Sequence, residues 1–172
     1  VICRRAVLLE VRTPDRRRGD VVGHVDVGNG CVRVRQLGDG RLHTTESGVA
    51  HNLAADEDEA FSTARRFLSY LPQHAGAVPP EAPAGSETRE RLLDGILDAI
   101  PTNHQRPYDM RAVLEQLVDA GSLLEVQPLY GQTMVTAFAR IGGQSVLIVA
   151  NQPAVKAGTI TADAAEKAAH FL

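Results

Sequence analysis

The sequence predicts an α/β fold. Stretches of apolar residues at helical spacing alternate with stretches rich in β-branched residues, and Gly- and Pro-rich segments separate them. The 172 residues have 44% hydrophobic content and a formal net charge of -3, as in soluble globular proteins. The sequence contains no apolar run of about 18 residues and begins without the features of a secretory signal. We therefore expect a cytoplasmic protein without a membrane span.

Residues 1–36 form an Arg-rich segment. Nucleic-acid binding is not favoured, because the segment has no aromatic residue for base stacking and no helical basic face. We interpret the charges as a solvated surface, and a frameshift in a GC-rich coding sequence is an alternative origin of the segment. Cys3 and Cys31 lack the spacing of metal ligands and are interpreted as ordinary thiols.

Residues 57–70 predict an amphipathic helix. Asp56 and Glu59 have the spacing of a capping box, and Pro72 ends the helix. The apolar residues that recur at helical spacing are Phe61, Ala64, Leu68 and Leu71. We expect this face to pack against another element.

The next segment, residues 73–86, predicts an extended linker. It is rich in Ala, Gly and Pro and has no periodicity, so a domain boundary is expected there. Residues 87–100 then predict a short helix that Pro101 ends. Its apolar face contains Leu92, Leu93, Ile96, Leu97 and Ile100.

Asp109 is placed to cap a further helix. The apolar face of that helix contains Met110, Val113, Leu114, Leu117 and Val118. We expect Gly121 to end the helix in a left-handed conformation.

The last part of the chain predicts a β-hairpin followed by a helix. Residues 134–141 and 146–150 are rich in apolar and β-branched residues, and the Gly-Gly pair at 142–143 is a turn signal. A loop then leads to a helix that Thr161 or Asp163 caps. The helix contains the strong helix formers and apolar residues Ala164, Ala165, Ala168, Ala169, Phe171 and Leu172. We expect its apolar face to be left uncovered by the rest of this sequence.

Several short strings occur in an order that identifies a family. They are GRLHTTESGVAH at 40–51, SYLP at 69–72, RPYDMR at 106–111, LEVQP at 124–128, AFAR at 137–140 and IVANQP at 148–153, followed by Gly158 and KAA at 167–169. Over residues 37–172 the chain resembles the biotin-dependent acyl-CoA carboxyltransferases, and most closely their propionyl-CoA and methylmalonyl-CoA branch. Leu147 and residues 159–161 depart from the family's usual residues.

The resemblance implies a crotonase-like fold of the ClpP/crotonase superfamily, used twice, with incomplete parts of two domains in this chain. Residues 37–72 are then the end of the N-terminal domain, 73–106 a linker with a short helix, and 107–172 the start of the C-terminal domain. Residues 1–36 are unmatched. In the family the active site lies between the N-terminal domain of one protomer and the C-terminal domain of another.

The implied function is transfer of a carboxyl group between carboxybiotin and an acyl-CoA of the propionyl or acetyl type. The implied partners are a biotin carboxyl carrier protein, a biotin carboxylase subunit and further copies of the chain. Two alternatives remain open. One is a biotin-dependent malonyl- or methylmalonyl-CoA decarboxylase subunit, which stabilises the same enolate in the other direction. The other is a non-catalytic remnant that binds a full-length homologue.

No catalytic residue is assigned to this chain. In the family, pairs of backbone N–H groups in glycine-rich turns stabilise the developing oxyanions, and neither turn is present. Residues 38–40 are not interpreted as such a turn because they precede the string ending at His51 rather than opening a helix. Residues 142–143 are better explained as a hairpin turn. We therefore expect this part of the enzyme alone to be inactive.

Other chemistries are not favoured. His43 and His51 flank Glu46, but no known metal-ligand spacing is present, so no metal site is predicted. Ser47 lacks the G-x-S-x-G context of a nucleophile elbow. The sequence has no P-loop, so ATP use is assigned to the partner biotin carboxylase.

The best candidate for a substrate contact is the segment between the last predicted strand and the last predicted helix. Its candidate residues are Asn151, Gln152, Pro153, Lys156 and Gly158. Backbone N–H groups and the dipole at a helix N-terminus favour anionic groups such as those of coenzyme A, and Lys156 adds a positive charge for a phosphate. The alternative is a loop that only turns the chain.

Overall fold

The computed structural model confirms the α/β class. Side chains are described for residues 40–82, 95–103 and 106–172, and backbone alone for 9–11, 24–26 and 31–33. The strands are β1 (Leu9–Val11), β2 (His24–Asp26), β3 (Cys31–Arg33), β4 (Asn52–Ala54), β5 (Leu124–Val126), β6 (Met134–Ile141) and β7 (Gln144–Asn151). The helices are α1 (Gly40–Thr45), α2 (Glu57–Leu68), α3 (Ile96–Ala99), α4 (Met110–Leu117) and α5 (Ala162–Phe171), and a 3-10 turn lies at Lys156–Gly158. None of the helices in these ranges is long and apolar enough to cross a membrane.

Strands β5, β6 and β7 form an antiparallel sheet with β6 in the middle. Phe138 of β6 lies opposite Leu124 on one side and Leu147 on the other, so these three side chains share one face. The short strands pair separately: β1 is parallel to β4, and β2 is antiparallel to β3.

The core lies on this face of the sheet and is built around Phe138. The ring centroids of Phe67, Tyr70 and Phe171 lie 5.2, 5.7 and 5.3 Å from the Phe138 centroid. The Phe67 and Phe171 rings pack edge-to-face on Phe138, and the Tyr70 ring is tilted by 31°. Edge-to-face packing stabilises a core beyond the burial of apolar area. Helices α2 and α5 therefore cover the same face of the sheet. The predicted division of the chain at residues 73–106 stays a prediction.

Helix α2 begins at the predicted residue, but the side chains that it buries are not the predicted ones. Asp56 accepts the Glu59 N–H at 2.8 Å, and the Glu59 carboxylate accepts the Ala55 N–H at 2.7 Å. The expectation that the face with Phe61 and Leu68 packs inward is wrong, because these side chains are 58% and 63% exposed. The helix buries Ala60 and Phe67 instead. The aromatic cluster at Phe138 determines this rotation of the helix.

The region between α2 and α4 is described in part. Residues 72–82 contain no helix or strand, as expected for a linker. The predicted helix at 87–100 is seen as the short α3, and residues 83–94 lie outside the described part of the chain.

Helix α4 begins as predicted, because the Asp109 carboxylate accepts the Arg111 N–H at 2.9 Å. Its predicted end is wrong: the chain becomes extended at Val118. Gly121 has the expected positive φ of 69°, but within a turn that the Ser122 N–H closes onto Asp119 O.

The predicted hairpin and last helix are confirmed. Gly142 and Gly143 have φ of 60° and 83°, as in the two-residue turns that suit the twist of a hairpin. Thr161 caps α5 by accepting the Ala164 N–H at 3.3 Å. The expectation of an uncovered apolar face on α5 is wrong for Ala164, which is fully buried, and for Phe171, which packs on Phe138. It is confirmed for Ala165, Ala169 and Leu172, which are exposed.

Candidate functional site

The candidate residues lie on the segment that joins β7 to α5, here called the 151–158 connection. The Asn151 amide donates to Gly158 O at 3.0 Å and so closes the connection on itself. The Gln152 N–H donates to Thr133 O at 2.8 Å, which anchors its first residues to the turn before β6. The structure thus brings the five candidates together. Asn151 and Lys156 are exposed, whereas Gln152 and Gly158 are buried.

The end of the connection has an unusual backbone. Lys156, Ala157 and Gly158 are consecutive and have φ of 46°, 55° and 70°. L-residues other than glycine rarely adopt this left-handed conformation, which costs about 1–2 kcal/mol per residue. Backbone strain of this kind is often found at binding sites, where the surrounding structure holds it in place. This observation favours a functional connection over one that only turns the chain.

Gln152 is a buried structural contact rather than an exposed one. Its side chain is 0% exposed. Its Oε1 accepts the N–H groups of Met110 at 3.0 Å and Ala154 at 3.3 Å, and its Nε2 donates to Asp109 Oδ1 at 2.5 Å. The amide therefore links the connection to the start of α4, and its own side chain has no surface left for a direct contact with substrate.

The start of α4 is also tied to the sheet. Arg111 makes a two-pronged ion pair with Glu125 of β5, with both nitrogen–oxygen distances at 2.7 Å. The hydrogen bonds that Arg111 donates to Glu125 raise the pKa of Arg111. Burial acts to raise the pKa of Asp109, but hydrogen bonds from the Arg111 N–H and from Gln152 outweigh it and lower that pKa. Both groups thus stay charged at neutral pH.

Lys167 is a functional candidate that sequence reasoning did not identify. Its side chain is 0% exposed, and its Nζ donates to Tyr130 O at 3.0 Å and to Met134 O at 2.8 Å. Burial lowers the pKa of Lys167 to about 8, while the nearby Glu125 charge acts against this. A lysine three residues after Ala164 on the inward side of a helix was the available signal.

The string at 40–51 is held against the turn before β6. The Gly48 O accepts from the Gln127 amide at 2.7 Å. A Cβ at Gly48 would lie 2.8 Å from the Tyr130 ring, and the residue has φ of 63°, so a side chain is excluded there. Tyr130 in turn donates its hydroxyl to Glu166 at 3.0 Å, and burial raises the Tyr130 pKa. The string and α5 are therefore fixed to the same turn.

The Gly142-Gly143 turn is occupied by a carboxylate of the protein itself. Asp119 accepts the Gly142 N–H at 2.9 Å and the Gly143 N–H at 2.7 Å. This geometry explains the turn without a substrate oxyanion. The expectation that residues 38–40 do not open a helix is wrong, because Gly40 is the first residue of α1. Residues 38 and 39 lie outside the described part of the chain.

The histidine and serine candidates form local contacts. His43 Nδ1 lies 3.2 Å from Ser47 Oγ, which also donates to the carbonyl of His43. Across the described ranges, no group of three His, Cys, Asp or Glu side chains is arranged to hold a metal ion. The arrangement with the clearest chemical use is the exposed Lys156 and Asn151 on the 151–158 connection, which precedes α5 in the chain.

Comparison with known proteins places these features in a family. The carboxyl transferase domain family matches residues 19–172, a range that begins within the Arg-rich segment. A similar protein is the propionyl-CoA carboxylase beta chain of Saccharopolyspora erythraea, 43% identical over 148 residues and covering 82% of this chain. Another is the methylmalonyl-CoA decarboxylase subunit alpha of Veillonella parvula, 39% identical over 142 residues and also covering 82% of this chain. The chain spans 27% of the length of the first relative and 28% of the second.

The fold agrees with the sequence match. The crystal structure of transcarboxylase 12S, described as a hexamer with methylmalonyl-coenzyme A and methylmalonic acid bound, aligns with a TM-score of 0.76 and 37% identity. The alignment covers 81% of this chain and 26% of that one. The α/β fold described above is therefore the crotonase-like fold of the carboxyltransferases.

Proposed function

Because this chain belongs to the carboxyl transferase domain family, we propose that it is part of the carboxyltransferase subunit of a biotin-dependent acyl-CoA carboxylase. The observation that carries the proposal is the family match over residues 19–172. The reaction transfers a carboxyl group from carboxybiotin to the α-carbon of an acyl-CoA. A propionyl-type acyl group is favoured because the similar Saccharopolyspora protein is a propionyl-CoA carboxylase beta chain.

The chemistry requires stabilised negative charge on the thioester oxygen, where removal of the α-proton produces an enolate. Backbone N–H groups aimed at such an oxygen stabilise it without reorganisation. Biotin, when bound to its carrier protein, supplies the activated carboxyl group. The single Gly-Gly pair of the sequence directs both N–H groups at Asp119, so this turn does not fit the biotin ureido oxygen. No step through biotin is assigned to this chain.

The role proposed for this chain is therefore binding. The exposed Lys156 and Asn151 lie on the 151–158 connection, close in sequence to the start of α5. An ammonium group and a helix N-terminus both favour phosphate, which coenzyme A carries. We propose that this connection contacts the coenzyme A part of the substrate, which the strained backbone at Lys156 and Ala157 supports.

A chimera tests the proposed activity, because it combines this chain with the remaining parts of a related enzyme. Residues 40–172 replace the matching segment of the Saccharopolyspora propionyl-CoA carboxylase beta chain, and the chimera is assembled with its biotin-carrying partner. We expect biotin-dependent carboxylation of propionyl-CoA, within about tenfold of the parent enzyme, since the active-site turns come from the parent. A chimera that assembles like the parent and yet has no carboxylation activity would contradict the proposal.

The 39% identity to a methylmalonyl-CoA decarboxylase subunit favours a second candidate, a decarboxylase subunit, which should transfer the carboxyl group of methylmalonyl-CoA to biotin and leave propionyl-CoA. The third candidate is a remnant that binds a homologue. Its support is reduced, because Ala164 and Phe171 of α5 pack on the sheet and only part of the apolar face of α5 is exposed. Assembly into a homo-oligomer and a cytoplasmic location stay predictions.

A further inference from the structure

We infer that Gln152 is a positioning residue that holds the 151–158 connection in its substrate-binding conformation. The inference rests on the proposed function, because it assumes that this connection contacts coenzyme A. Gln152 does not touch the substrate itself. It acts through its backbone neighbours, whose conformation its buried side chain determines.

The first argument is the number of hydrogen bonds that the Gln152 side-chain amide makes. Three side-chain hydrogen bonds join it to two separate parts of the chain: the start of α4, through Met110 and Asp109, and the connection itself, through Ala154. The side chain is fully buried. A buried amide that lost these partners would leave polar groups unpaired, which is costly. The side chain therefore admits few alternative conformations.

The second argument is the rigidity of what Gln152 is attached to. Asp109 accepts both the Gln152 amide and the Arg111 N–H, and Arg111 is ion-paired with Glu125 of β5. The anchor of the connection is thus linked to the central sheet. A site supported by packed elements keeps its geometry better than one supported by loop contacts alone.

The third argument is the strain at the other end of the connection. Lys156 and Ala157 are held at φ of 46° and 55°. A free loop would relax from this conformation, so its two ends must be fixed. Gln152 fixes the first end, while the Asn151–Gly158 hydrogen bond and the Thr161 cap fix the second. With both ends fixed, the backbone at the exposed Lys156 is held in one conformation.

The experiment uses the full chain, with propionyl-CoA as the probe and two readouts. Isothermal titration gives the dissociation constant, and hydrogen exchange gives the protection of the amides at 154–159. The test variant is Gln152→Met, which keeps the length of the side chain and removes its hydrogen bonds. The matched control is Gln132→Met, the same change at an exposed glutamine on the turn before β6. We expect Gln152→Met to weaken binding about tenfold and to speed exchange at 154–159 but not within β6. The control should change neither.

A second variant keeps the test valid if Gln152→Met does not fold. Gln152→Glu retains the acceptor for the Met110 and Ala154 N–H groups but places a carboxylate against Asp109. At pH 8 the two like charges repel, and binding should be weaker by about tenfold. Near pH 5 the shared site takes up a proton, the hydrogen bond to Asp109 returns, and affinity should recover. The wild-type chain should lack this pH profile.

Three results would overturn the inference. Unchanged exchange in Gln152→Met means that the amide does not hold the connection. Faster exchange with unchanged affinity means that Gln152 is only a structural residue. Absence of propionyl-CoA binding by the wild-type chain contradicts the proposed binding role itself, and the inference then falls with it. The first two results leave the proposed function standing.

Discussion

The two ends of β7 are connected to their neighbours in opposite ways. At the start of β7, Gly142 and Gly143 adopt positive φ angles, and a charged side chain, Asp119, accepts both of their N–H groups. At its end, the left-handed residues include Lys156 and Ala157, which carry side chains, and the anchor is the neutral amide of Gln152.

The difference shows where the chain tolerates strain. Glycine adopts a positive φ without steric cost, so the hairpin turn is relaxed and explained by local geometry. The 151–158 connection keeps two non-glycine residues in a costly conformation, and the buried amide of Gln152 anchors its first end. Strain of this kind is expected where a defined surface is needed, and the following predictions test that distinction.

The largest predicted effect concerns Lys167, which anchors α5, the helix that follows the connection. Its pKa in the folded chain is about 8, below its ordinary value of 10.5. Between these pH values the unfolded chain binds a proton that the folded chain lacks, so Lys167 makes stability rise with pH. From pH 7 to pH 9.5 its contribution to the free energy of unfolding should increase by about 2 kcal/mol.

The measurement is urea denaturation at both pH values for the wild-type chain and for Lys167→Met, which lacks the titrating group. The variant accounts for all other groups that titrate in this range. The difference between wild type and variant should grow in favour of the wild type as pH rises. Equal pH dependence in both proteins would show that Lys167 is not titrating in a buried environment.

The next effect concerns the relaxed connection. Asp119→Ala removes the carboxylate that accepts the Gly142 and Gly143 N–H groups. We expect a loss of about 1.5 kcal/mol in the free energy of unfolding, since hydrogen bonds to a charged group are among the stronger ones. Asp119→Asn retains one acceptor and should lie between the two. Coenzyme A affinity should not change, and a change would show that the turn belongs to the binding site.

The smallest effects come from a matched pair of substitutions. Gly142→Ala has free space for its Cβ, so it should cost only the backbone strain of φ 60°, about 1 kcal/mol. Ala157→Gly removes such strain at φ 55° and should stabilise the chain by about 0.5 kcal/mol. Thermal denaturation measures both. If the strain serves binding, Ala157→Gly should also weaken propionyl-CoA binding. A loss of stability in Ala157→Gly would contradict the assignment of strain.

Much of the fold was predictable because its signals are local. Asp56, Asp109 and Thr161 cap the helices that the sequence assigned to them, since a cap depends on residues within one turn of the helix. The hairpin at Gly142-Gly143 was predictable for the same reason, since its turn signal is also local. The short elements α1, β4 and β5 were not predicted, because three to six residues are too few to show a period.

The inward faces of the helices were less predictable. In α2 the apolar spacing suited Phe61 and Leu68 as well as Phe67, and only contact with Phe138 selects Phe67. In α5 one of the two buried positions is occupied by Lys167, a residue type that is rarely fully buried unless it is paired. The candidate site showed the same limit. The sequence located the 151–158 connection but did not separate the exposed Lys156 from the buried Gln152.

The sequence by itself determined the α/β class, the family, the helix caps and the position of the candidate connection, because all of these depend on neighbouring residues or on motif order. The tertiary structure alone decided which helix faces are buried, that Asp119 occupies the Gly142-Gly143 turn, and that Gln152 and Lys167 anchor the region around the connection. Those contacts join Gln152 to Met110 and Lys167 to Tyr130, residues about 40 positions apart in the chain. Only folding brings such partners within hydrogen-bond distance.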